Sequence, residues 1–90
     1  MTWTDDDVRA GLASGEPVDA AEAVAAAAGF PGELLSDAGR EWAETHGVPP
    51  SDLVEAALQR VRDLCAEETD EATLEQLRDL RVRLGDALAP

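Results

Sequence analysis

The amino-acid sequence predicts an all-α fold, a compact bundle of four to five short helices ending in an antiparallel helical hairpin. Three observations predict it. Helix start and stop signals punctuate the chain, apolar residues recur with a helical period in its second half, and no segment alternates with the period of two that marks a strand. The 90 residues read as one small domain, 1–90, with helices expected over about 5–13, 20–28, 32–46, 51–67 and 70–88.

The first helix has a complete start signal. Thr4 is a cap with Asp7 three residues on, Trp3 faces Val8 as a hydrophobic staple, and Asp5, Asp6 and Asp7 fill the turn where the helix dipole favours negative charge. Ser14-Gly15 ends it. For the second helix, Asp19 with Glu22 repeats the capping logic, and Gly29, Phe30 and Pro31 form the stop. Its body is nearly all alanine, which favours helix but buries little area, so neighbours can approach closely. In the third helix Leu34, Leu35, Ala38 and Trp42 share one side and Asp37, Arg40, Glu41 and Glu44 another; Gly39 marks a kink or break near Ser36. Gly47 and Pro49-Pro50 close it after His46.

The last two helices carry the strongest periodicity. Leu53, Val54, Ala57, Leu58, Val61, Leu64 and Cys65 form one stripe and Leu74, Leu77, Leu80, Leu84 and Leu88 the next, across the acidic turn Glu67–Glu71. So short a connection predicts a hairpin. Glu75 with Arg78 and Asp79 with Arg83 have local ion-pair spacings.

Composition restricts function more than it identifies it. Twenty acidic side chains against seven arginines and no lysine leave a net charge of −13. Such a surface repels nucleic acid phosphate and anionic lipid and attracts basic protein surfaces. Of the 44% of residues that are apolar, 17 are alanine, so the core is thin and stability marginal. Missing Lys, Asn, Ile and Tyr follow a GC-rich codon bias, which does not account for the carboxylates. A single cysteine, Cys65, excludes an internal disulfide and a cysteine zinc site. The acidic first residues differ from a secretion signal, no apolar run is long enough for a membrane span, and a cytoplasmic location is expected.

No constellation carries chemistry. The acids lie on polar faces, whereas catalytic carboxylates need environments that push their pKa values apart. The one histidine, His46, sits in a last helical turn where a cation helps the dipole. Cys65 lies within an apolar stripe and reads as core. Asp5-Asp6-Asp7 and Glu67–Glu71 lack the alternating donors and glycine of a calcium loop. No catalytic, cofactor or metal residue is assigned, and no cofactor is expected.

One stretch has a known pattern. Val24, Ala25, Gly29, Leu35 and Ala38 place a small residue, a glycine four later and a branched apolar residue six further on. Over about twenty residues this resembles the helix-turn-helix of many bacterial regulators. The resemblance implies a DNA reader, dimeric through the terminal hairpin. However, the helix that would enter the groove carries Glu33, Asp37, Glu41 and Glu44 against Arg40 alone, and phosphate contacts need several positive groups.

Five of the seven arginines, Arg60, Arg62, Arg78, Arg81 and Arg83, fall in the terminal hairpin, with Arg60 bordering the stripe of the fourth helix and Arg81 in line with Leu74 and Leu88. They either pair with acids of the same fold or border a docking surface. The expected function is a non-enzymatic acidic interaction module of the inhibitor, antitoxin, immunity-protein, adaptor or small-subunit type. It would bind a basic protein surface, or self-associate through the C-terminal hairpin, using Asp37, Arg40, Glu41, Trp42, Glu44, Arg60 and Arg81. The alternatives are a helix-turn-helix regulator and a structural protein of a high-salt cytoplasm.

Overall fold

The computed structural model describes residues 3–13, 15–32 and 35–88, and it is all-helical. Helix α1 spans Asp5–Ala13, α2 Pro17–Ala27, α3 Asp37–His46, α4 Ser51–Glu67 and α5 Glu71–Leu88. Helices α4 and α5 pack against each other across a three-residue connection, 68–70, as an antiparallel hairpin. The N-terminal half wraps around α2.

Local signals set most helix ends. At α1 the capping box is reciprocal: the Asp7 amide donates to Thr4 Oγ1 at 3.2 Å and the Thr4 amide to Asp7 Oδ2 at 2.9 Å. Trp3 packs on the core that contains the fully buried Val8. The α2 C-terminus is a Schellman motif, with Phe30 N–H on the Ala25 carbonyl at 2.9 Å and Gly29 N–H on Ala26 at 3.0 Å. Gly29 takes φ 101°, a left-handed conformation open to glycine without strain. Asp70 caps α5 by accepting from the Thr73 amide and hydroxyl, and these bonds hold its carboxyl below the ordinary carboxylate range.

Four boundaries differ from expectation. Helix α2 begins at Pro17, whose fixed φ suits a first turn, and not at residue 20; it ends at Ala27, with Ala28 as its C-cap. Glu22 is therefore no capping residue. Asp19 accepts instead from the Ser36 amide at 3.4 Å. Helix α3 begins at Asp37, not 32, because Ser36 adopts extended backbone and accepts from the Gly39 amide at 3.1 Å. The expected break at Ser36 is thus the helix start. Leu35 is buried from the loop before it, and the readings placed on Glu33, Leu34 and Ser14 lie outside the described residues. Helix α5 starts one residue later than expected, at Glu71.

Helix α2 is the hub. It packs on each of the other four helices, and Ala20, Ala21, Ala23, Val24 and Ala25 are at most 2% exposed. A helix buried on all sides must be apolar all round. Alanine permits the close approach that glycine completes. A Cβ on Gly11 of α1 would stand 3.2 Å from Ala20 Cβ, and one on Gly39 of α3 3.3 Å from Ala23 Cβ. Leu53, Leu77, Leu80, Leu84 and Trp42 are the largest buried apolar side chains of this core.

One charge sits inside this hub. Glu22 is 1% exposed and, among the described residues, is the one buried charged side chain. Arg83 of α5 meets it with a bidentate fork, Nη2 to Oε1 at 2.6 Å and Nη1 to Oε2 at 3.3 Å. The guanidinium also donates to the Phe30 carbonyl at 3.2 Å and, through Nε, to Asp79 at 2.9 Å. Burial works against the Arg83 charge, but the hydrogen bonds and charges of Glu22 and Asp79 outweigh it and raise its pKa. Gly32 leaves room for the pair, since a Cβ there would press on Glu22 Oε2 and lie 2.7 Å from Arg83 Nη1. The pair joins α2, α5 and the α2–α3 loop.

Breaking a buried pair leaves an uncompensated charge, so Arg83→Met destabilises the protein by about 3–5 kcal/mol. Adding Glu22→Leu to it restores most of the loss, because no buried charge then remains. Urea denaturation followed by circular dichroism measures both.

Candidate functional site

Helix α3 carries the densest set of residues singled out from sequence. Its ten residues turn one face inward: Gly39 and Trp42 are buried, Ala38 and Ala43 half-buried. The 3.6-residue period then sends Asp37, Arg40, Glu41 and Glu44 outward, and all four are exposed. Trp42 is 2% exposed and belongs to the core. Its ring therefore offers no contact surface, which corrects its assignment as a partner-binding residue.

Beside this helix lies a groove of about 370 Å³. Ala26, Pro31, Leu35 and Ala43 give it an apolar floor, and Arg40 and Glu44 stand at its edge. The groove lies where the chain passes from α2 to α3.

The C-terminus of α3 meets the first turn of α1. His46 Nε2 lies 2.8 Å from Asp5 Oδ1, and Trp42 Nε1 donates to the same oxygen at 3.4 Å. The Trp42 and His46 rings stack obliquely, with centroids 4.7 Å apart and planes tilted by 32°. The hydrogen bond to Asp5 raises the His46 pKa against an opposing effect of burial, and the Gly47 carbonyl and the Asp5 charge add to the rise. Asp5 is lowered in turn, first by the His46 hydrogen bond, with burial opposing and the His46 charge, Trp42 and Arg9 assisting. This bridge brings the exposed Asp6 and Asp7 to the end of the molecule that carries Glu44.

The hairpin arginines lie elsewhere. Arg60 is half-buried and lines a separate groove of about 380 Å³ between α1 and α4, with Arg9, Leu12, Ala56 and Gln59; its Nε is buried without a hydrogen-bond partner. Arg81 is exposed, while Leu74 and Leu88, which share its line on α5, are half-buried. Neither arginine is brought to the α3 face. Arg9 bridges to Asp52 at 3.0 Å between α1 and α4, a surface pair worth little. Cys65 is half-buried against the core.

Sequence reading missed the long-range partnerships, among them Glu22 with Arg83 and His46 with Asp5. A signal existed for the first: Glu22 is the single charge in the apolar run 20–28, and a buried charge needs a partner. None existed for the second. Among the described residues, no three acidic, histidine or cysteine side chains converge as a metal would require. No helix among them is long and apolar enough to cross a membrane. Comparison with protein-family models, curated proteins and solved structures finds no match to this chain.

The two sides of α3 respond oppositely to substitution. Trp42→Ala removes a buried indole and costs about 3–5 kcal/mol. Glu44→Gln removes a negative charge from the last turn, where the dipole opposes it, and stabilises the protein by about 0.3 kcal/mol. Thermal melts of the two variants check the contrast.

Proposed function

We propose that the protein is a non-enzymatic acidic interaction module that docks a basic protein surface against the exposed face of α3 and the first turn of α1, which the Asp5–His46 bridge holds together. In this reading Asp37, Glu41 and Glu44, with Asp6 and Asp7, steer the partner. The groove edged by Arg40 and Glu44 receives one of its apolar side chains.

One observation carries the reading: carboxylates stand where stability argues against them. Glu44, Glu67 and Asp86 occupy the last turns of α3, α4 and α5, and no base accompanies those of α4 and α5. A negative charge there opposes the helix dipole. Among the steering residues Glu44 has this placement, and long-range attraction of a cationic partner accounts for it. The same field supports the exclusion of polyanions, because an α3 surface of Asp37, Glu41 and Glu44 against Arg40 repels phosphate.

Affinity capture from a native lysate at low salt, repeated with the triple variant Asp37→Asn/Glu41→Gln/Glu44→Gln, tests the proposal. The variant keeps full helicity in dilute buffer and associates with the captured basic protein about tenfold more slowly, and salt slows the wild type to a similar degree. Capture indifferent to salt and to the variant contradicts the reading, as does retardation of duplex DNA at physiological salt. Folding confined to molar salt would assign the acidity to the environment.

A further inference from the structure

His46 is the one histidine of the chain, and histidine is the side chain whose ordinary charge change falls between pH 5 and 8. Both of its ring nitrogens face oxygen. Nε2 lies 2.8 Å from Asp5 Oδ1 and Nδ1 3.3 Å from the Gly47 carbonyl. A neutral imidazole has one N–H and one lone pair, so it can donate to only one of these acceptors and turns its lone pair on the other. The imidazolium donates to both. It also lies against the Trp42 indole at 4.7 Å, where a cation gains from the ring face.

The position of the contact gives it consequence. No backbone approach within 8 Å joins α1 to α3; each helix rests on α2. Asp5 therefore joins the two helices through side chains alone, accepting from His46 and from Trp42. We propose that Asp5, Trp42 and His46 form a pH-sensitive latch: protonated His46 clamps the last turn of α3 to the first turn of α1, and proton loss loosens it to the neutral hydrogen bonds alone. The latch is a property of the fold and holds whatever partner the protein binds.

Asp5 is the charged group that faces the ring from α1. Arg9, about one turn along the same helix, acts on Asp5 and is itself held by Asp52 of α4. On α3 the ring meets Trp42. The His46 pKa is raised, so its stabilisation is complete below the ordinary histidine value of about 6.5 and is lost as pH rises through the higher folded value. The Asp5 pKa is lowered, so its contribution is present above its ordinary value of about 3.9 and is lost as pH falls through the lower folded value. The latch is tightest between about pH 4 and 6.5 and loosens on the alkaline side.

Proton NMR of the single histidine tests this on the intact protein. The His46 Cε1–H resonance titrates with a midpoint above about 6.5, and Asp5→Asn lowers that midpoint by about half a pH unit or more. Amide exchange at Thr45 and Gly47, corrected for its intrinsic pH dependence, rises by about threefold or more across the same transition in the wild type and stays flat in His46→Gln. A midpoint at or below about 6.5, or one that Asp5→Asn leaves in place, overturns the latch. A raised midpoint without added exchange at Thr45 and Gly47 overturns it too.

Discussion

The bidentate contact between Glu22 and Arg83 is the constraint that the packing around α2 has to satisfy. It places a charge at the centre of an alanine helix that has almost no side-chain bulk of its own. Desolvating two ions is expensive and is offset only by good geometry and full satisfaction of the remaining donors. Both conditions hold. The fork spans both Glu22 oxygens, and Phe30 and Asp79 take further Arg83 donors. Because the partners come from α2 and α5 and the third acceptor from the α2–α3 loop, one side chain fixes the hub, the hairpin and the approach to α3 together. Gly32 belongs to the same device, since a side chain there would occupy the space of the pair.

Charge is thus divided between inside and outside. The interior pair is neutral, oriented and shielded, and it specifies how elements meet. The exterior is acidic, with Arg9 of α1 paired to Asp52 of α4 and α3 presenting Asp37, Glu41 and Glu44 to solvent. The interior can hold such a field because α2 lets its neighbours come close, with Gly11 and Gly39 against Ala20 and Ala23. Leucines of the hairpin supply the area that alanine lacks. The Asp5–His46 bridge is intermediate in character: its side chains are about half and a fifth exposed, so it remains open to protons.

The parts of this architecture legible in sequence are those whose partners lie three to five residues apart. The Thr4–Asp7 box, the Gly29 stop and the Asp70 cap are local, and each formed as its residue types dictate. The hairpin was legible because a sustained leucine period and a short acidic turn admit one arrangement. The start of α3 was not: Leu34, Leu35 and Ala38 continue the helical wheel through Ser36, yet the Ser36 side chain competes for the backbone amides and wins. The exposed face of α3 was readable from its period, but the burial of Trp42 depends on what packs against it. The pairings of Glu22 with Arg83, 61 residues apart, and of Trp42 with Asp5, 37 apart, belong to tertiary structure and left only the trace of a lone charge in an apolar run.

Native-state hydrogen exchange tests most directly whether α2 is the hub. If it is, the amides of Ala23 to Ala27 exchange only through global unfolding, at the same free energy as those around Leu80 to Leu84. Exchange of the α2 amides through local openings well below that of the α4–α5 hairpin would contradict the account, making the hairpin the core and α2 an attachment to it.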